Sequence, residues 1–156
     1  MSTDLNELIN SIKKESNNIL LAKEKIWNEL MSEYDIISDI SFNESNVDQL
    51  LKKKEWIHLR YYGKLIDEKA KLEVLLDKLN DLKGEIYDNL RFNSDKNLAK
   101  QEIEKYYIER DVKVKTLKRL YVYQKFRVEF FEMCINNINN LGWTIKEFLT
   151  TLQKAI

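Results

Sequence analysis

No proline interrupts the 156 residues of this chain, and glycine occurs only at Gly63, Gly84 and Gly142. Sandwiches, barrels and glycine-loop folds need both residues repeatedly, proline to preset φ in turns and glycine to take positive φ. Such folds are excluded, and long helices remain. With 44% hydrophobic and 33% charged residues, the chain is not disordered throughout and has enough apolar side chain to bury a core. The expected fold is all-α.

Apolar periodicity places the helices. Leu5, Ile9, Ile12, Ile19, Ile26 and Leu30 share a stripe that predicts an N-terminal helix ending near Tyr34. Residues 36 to 46, IISDISFNESN, mix β-branched and turn-forming residues and read as a linker. A second stripe, Leu65, Leu72, Leu75, Leu79, Leu82 and Ile86, predicts a helix from about Val47 to Leu90, with Asn93, Ser94 and Asp95 as the following turn and N-cap. From Ile103, steps of four and three run through Tyr107, Arg110, Val114, Leu117, Tyr121, Gln124, Val128, Phe131 and Ile135 to Ile138, the seam of one helix from Leu98 to Asn140. Gly142 reads as its C-cap, followed by a short helix with Trp143, Ile145, Phe148, Leu149 and Leu152. The two long helices should pair as an antiparallel hairpin.

The expected organisation is an acidic N-terminal helix over residues 1–36 and a helical domain over 37–156, comprising the hairpin and a C-terminal oligomerisation segment. A hairpin of two such helices leaves apolar positions that one partner cannot cover, and aromatic residues crowd more than one face of the third helix. Tyr121, Phe130, Phe131, Ile135, Trp143, Ile145 and Phe148 are therefore expected at contacts between subunits. The competing expectation is that the N-terminal helix folds back as a third member of the bundle.

Catalytic chemistry has little to work with. Cys134 and His58 are the only residues of their types, too few for a zinc finger or a disulfide framework. Cys134 lies beside the apolar seam and is expected to pack as a small hydrophobe, and His58 sits among aromatics without the partners of a triad. There is no phosphate loop of the G-x-x-x-x-G-K type, and none of the abundant carboxylates forms an inward-facing Glu-x-x-His pair of the di-metal bundle type. The chain is expected to be no enzyme, without metal or cofactor. No apolar run approaches the roughly 20 residues of a membrane span, and the N-terminus alternates polar with apolar residues, unlike a signal peptide. With a lone thiol, these features give a cytoplasmic protein with no membrane partner.

Charge is balanced overall, with 26 basic and 26 acidic residues, and unevenly spread. Residues 1–51 carry 4 basic and 10 acidic side chains, residues 52–127 carry 20 and 13, and the remainder 2 and 3. In the basic middle, cations interleave with aromatics: Lys52 to Lys54, Trp56, Arg60, Tyr61, Tyr62 and Lys64, then Lys69, Lys71, Lys78 and Lys83, then Tyr87, Arg91 and Phe92. Cations that track phosphates beside aromatic faces that stack on unpaired bases are what single-strand binders use, and Lys69, Lys71, Lys78, Lys83 and Arg91 are the candidate contacts. The bland reading of the same residues is solvated helix faces around core aromatics. An alternative cationic stretch lies on the third helix, Arg110, Lys113, Lys115, Lys118, Arg119, Lys125 and Arg127, opposed there only by Asp111.

Three segments resemble the phage recombination mediators of the UvsY type, from T-even-like viruses. Residues 102–149 resemble that family's long helix, with a turn in which a glycine and an aromatic precede Ile-Lys, here Gly142, Trp143, Ile145 and Lys146. IHLRYYGKLIDEK at 57–69 is similar to its Leu-His-x-Lys-Tyr-Leu block, matched by His58, Arg60, Tyr61 and Lys69, and ISDISF at 37–42 is similar to its Ile-Asp-x-Thr-x-Leu. The matches cover roughly residues 37–150 in the family's order. The chain departs from the family where basic residues precede a Tyr-Tyr-x-Gly: KGEIYDNLRF at 83–92 has Gly84 and Ile86 at the basic positions and Asn89 and Leu90 for the tyrosines, with only Lys83 and Arg91 keeping charge nearby. About the first 26 residues have no counterpart.

The resemblance implies a ring-like homo-oligomer in the cytoplasm of an infected bacterial host. It would bind single-stranded DNA and help a phage RecA-like recombinase replace the phage single-strand-binding protein. The reading from another class is a non-catalytic coiled-coil structural, assembly or adaptor protein.

Overall fold

The computed structural model describes residues 2–93 and 97–156, with side chains from Leu5 onward. Every regular element among them is helical: α1 (Ser2–Glu33), α2 (Ile36–Ile40), α3 (Val47–Phe92), the single turn α4 (Lys100–Glu102), a π-helical turn over Ile103–Ile108, and α5 (Val112–Lys154). The expected all-α fold with a long central helix is what the chain adopts. Ser94 and Asp95, expected to turn the chain into the third helix, lie outside the described residues. No helix among the described residues is long and apolar enough to cross a membrane.

The segment read as a linker contains a helix. Asp35 caps α2 by accepting a hydrogen bond from the Ser38 N–H at 3.1 Å, and burial of Ile36 pins the short helix. Asn43 then turns the chain toward α3: its side-chain oxygen accepts from the Ser45 N–H at 2.9 Å, while its own N–H donates to Asn46 Oδ1 at 2.7 Å.

Two compact units follow from the contacts, Met1–Leu65 with Phe126–Ile156, and Ile66–Lys125, and α3 and α5 contribute to both. In each unit the contacts of α3 with the chain after it run antiparallel. In the first, Gly142 lies against Lys54 and Cys134 near Tyr61. In the second, Gln124 bonds Glu68, Lys83 faces Glu109, and Arg91 reaches Leu98.

The first unit is built around Tyr61, whose ring is fully buried and whose hydroxyl donates to Asp39 Oδ2 at 2.5 Å. Tyr34 meets both Tyr61 and Phe131 edge-on, at 6.1 and 5.2 Å between ring centroids, and Phe131 meets Phe130 at 5.2 Å. The last part of α1 folds back into this core, as the competing expectation had it. Trp27 donates its indole N–H to the Phe126 carbonyl at 3.0 Å and packs edge-on against Phe130, Lys23 pairs with Glu129 at 3.1 Å, and Leu30 is buried. Cys134 is buried as expected.

The third helix differs from the expectation at both ends. A continuous helix from Leu98 would turn Tyr107 and Arg110 inward, yet both are exposed. In the π-helical turn the Glu109 N–H bonds the Glu104 carbonyl at 3.3 Å, so each turn holds one more residue and Ile108, five after Ile103, faces the core instead. The helix then restarts, because Asp111 Oδ1 accepts from the N–H groups of Lys113 and Val114 at 2.8 and 3.1 Å, a side-chain N-cap. Downstream, α5 passes through Gly142 without a cap, and no glycine has positive φ. Ile138, Leu141 and Ile145 form one buried stripe across that position, and their burial outweighs the helix cost of glycine, about 1 kcal/mol. The short separate C-terminal helix is therefore the end of α5.

Two expectations follow. A Cβ at position 142 would come within 4 Å only of Lys54 Nζ, at 3.2 Å, the far end of a flexible side chain that can give way, so Gly142→Ala should stabilise the chain by about 0.5–1 kcal/mol in urea unfolding. A loss of similar size would indicate the left-handed cap instead. The Tyr61 hydroxyl is pushed up by burial and by its bond to Asp39, and burial raises the Cys134 thiol from 9.0 to about 12. Both groups are protonated in the folded chain where the unfolded chain loses its protons, so their contribution is complete below about pH 9 and falls as pH rises beyond it. The urea midpoint should decline from pH 9 to 11, less steeply in Tyr61→Phe.

Candidate nucleic-acid interface

Within the second unit, α3 and α5 both carry cations, but their surroundings differ. The apolar layer beneath them is Leu79, Ile103, Ile108 and Val114, flanked by Leu82, Ile86, Tyr87, Leu90, Leu98 and Leu117. Glu68 is buried beside it and accepts from Gln124 Nε2 at 2.6 Å and from Lys71 Nζ at 3.0 Å, so Lys71 serves to compensate a buried carboxylate. Lys83 is half-buried, with Nζ 3.6 Å from Glu109 Oε1. Arg91 donates to the Leu98 carbonyl at 2.5 Å and ties the end of α3 to the chain that follows. An open groove beside Lys83 is lined also by Gly84, Tyr87, Gln101, Lys105 and two carboxylates, Glu104 and Glu109. Those carboxylates repel a phosphate. Lys69 and Lys78 are exposed, and their positions differ by about 180° around α3.

On α5 the pattern reverses. From Val112 to Lys125 there are five cations and no carboxylate. Lys113, Lys115 and Arg119 are exposed and make no ion pair with a described residue. Lys115 and Arg119 lie one turn apart, within about 40° of each other and about 6 Å along the axis. Lys118 borders the same face and bonds the Glu109 carboxylate, which that bond and the nearby Lys83 hold below the usual range. Lys113 sits about 160° from Lys115 around the helix, so the structure separates it from the other three candidates. Lys125 lies beside Lys118, about 20° from it and about 80° from Lys115 around the helix, its Nζ 5.9 Å from the centre of the Tyr121 ring.

Aromatic availability also changes. Tyr61, counted among the interleaved aromatics, is the buried hub of the first unit, and Arg60 lies 5.8 Å over Tyr34. Trp56 and Phe92 are exposed, and Tyr62 stacks on His58. Of the residues expected between subunits, Phe130, Phe131 and Ile145 are buried by their own chain. Tyr121 and Ile135 are half-buried, and Phe148 is half-buried against Phe42. Trp143 alone stands out, 70% exposed with Lys146 Nζ 5.5 Å from its ring. Sequence reasoning missed Asp39 and Trp27, whose roles depend on contacts with residues far along the chain. Among the described residues, no group of three or more His, Cys, Asp or Glu side chains is arranged to hold a metal ion.

Comparison with protein-family models, curated proteins and solved structures gives no match to this chain.

Because Arg91 closes the α3 terminus, Arg91→Ala should lower stability by about 0.5–1.5 kcal/mol, read as the urea midpoint. An unchanged midpoint would mean that the bond to Leu98 contributes nothing.

Proposed function

We propose that this chain is a non-catalytic single-stranded DNA-binding protein that helps load a RecA-like recombinase onto strands covered by single-strand-binding protein. The observation that carries the DNA part is the carboxylate-free cationic segment of α5, where Lys115 and Arg119 are exposed on one face without an ion pair to any described residue. Phosphates would neutralise these side chains with release of counterions, and the neighbouring carboxylates are engaged elsewhere, Glu109 by Lys118 and Asp111 by the N–H groups of Lys113 and Val114. The recombinase and the displaced binding protein come from the resemblance to the UvsY-type mediators, as does the ring-like homo-oligomer in the cytoplasm of an infected bacterium. In such an oligomer, weak phosphate contacts repeated on every subunit would add by avidity.

Base identity should matter little, since a short cationic face on a helix grips the backbone and any stacking is tolerant of sequence. A second reading, a coiled-coil assembly or adaptor protein, is favoured by the row of exposed aliphatic residues along the first half of α1.

Fluorescence anisotropy with a labelled single-stranded oligonucleotide at several salt concentrations tests the proposal. Log affinity should fall linearly with log salt, and Lys115→Ala with Arg119→Ala should weaken binding and reduce the slope by about 1.4 per engaged subunit. Lys83→Ala should leave the slope unchanged. Absence of binding at low salt would leave the adaptor reading standing.

A further inference from the structure

From Leu5 to Leu20 every residue of α1 is exposed, and Leu5, Leu8, Ile9, Ile12, Ile19 and Leu20 are 40–62% exposed. These side chains fall within about 120° of the helix circumference. The same stripe continues into Trp27 and Leu30, which the chain's own core covers, so an apolar seam that is packed at its C-terminal end runs on exposed for about four turns. A lone helix of this composition would not hold in water. The stretch LNELINSIKKESNNIL contains four asparagines, two serines and three isoleucines, all weaker helix formers than alanine or leucine. Isolated helices of this length are marginal even when alanine-rich.

We propose that α1 pairs in parallel with α1 of a second copy of this chain. The spacing suits a copy of itself: Leu5, Ile9, Ile12, Ser16 and Ile19 step by four, three, four and three, a heptad seam that is complementary to an identical seam. The flanks choose the direction. Lys13 lies about 80° to one side of the seam and Glu15 about 80° to the other. Two parallel helices facing across a two-fold axis bring opposite flanks together, so the Lys13 edge of each meets the Glu15 edge of the other. Antiparallel pairing would instead oppose lysine to lysine and glutamate to glutamate. The polar Ser16 at a seam position lowers stability while favouring one register. The pairing is independent of DNA binding, because the cations of α5 take no part in it.

Sedimentation equilibrium of the full chain tests this. The intact chain should sediment with a concentration-dependent mass above that of one chain, and Ile12→Lys with Ile19→Lys should reduce that mass and lower the helical circular-dichroism signal. Since both positions are solvent-exposed in the single chain, the tryptophan emission of the Trp27 core should be retained. Lys13→Glu and Glu15→Lys should each weaken the association severalfold, and the two together should restore it. A monomeric intact chain, or a mass unmoved by the isoleucine substitutions, would overturn the proposal. So would single charge reversals that leave the association constant unchanged.

Discussion

Tyr61 is the interaction on which the first unit depends. It projects from α3, gives its hydroxyl to Asp39 of α2, packs edge-on against Tyr34 at the end of α1, and lies near Cys134 of α5. Four elements thus converge on one phenol. Its hydroxyl cannot be buried without a partner at tolerable cost, so the short helix that carries Asp39 is held where the ring requires it. Phe130, Phe131, Leu30 and Ile138 extend the same core, each burial contributing about 1.5–3 kcal/mol.

This arrangement divides the labour of α5. Its aromatic and aliphatic portion, from Phe126 to Ile145, is consumed by the chain's own core, whereas Val112–Lys125 packs Val114, Leu117 and Gln124 inward and leaves Lys113, Lys115, Arg119 and Lys125 exposed. On the facing stretch of α3, Lys71 is instead matched by Glu68 and Lys83 by Glu109. Net charge along the sequence therefore does not report which cations are paired. The middle of the chain is basic as a whole, but among the described residues the exposed cations without an ion pair on α5, Lys113, Lys115 and Arg119, lie on the segment lacking acids.

Much of the fold is legible without coordinates, because apolar spacing reports burial wherever one helix keeps one neighbour. The α3 stripe from Leu65 to Ile86 and the α5 stripe from Val114 to Ile138 are such cases. Failures arise where a local rule loses to packing or to an extra residue. Gly142 after two asparagines has the composition of a cap, yet Leu141 and Ile145 carry the helix across it. The heptad count through Tyr107 and Arg110 fails because one π-helical turn shifts the inward positions by a residue. At the candidate interface, residue type was readable and pairing was not. Lys83 and Lys115 look alike in sequence, and only the fold shows that one faces Glu109 while the other faces water.

The most direct test of the account is lysine footprinting by acylation and mass spectrometry, with and without a single-stranded oligonucleotide. The account predicts that DNA protects Lys115, with Lys118 and Lys125 beside it, while Lys13, Lys14 and Lys83 react as in the free chain. Protection confined to Lys69 through Lys83, with Lys115 still reactive, would contradict it.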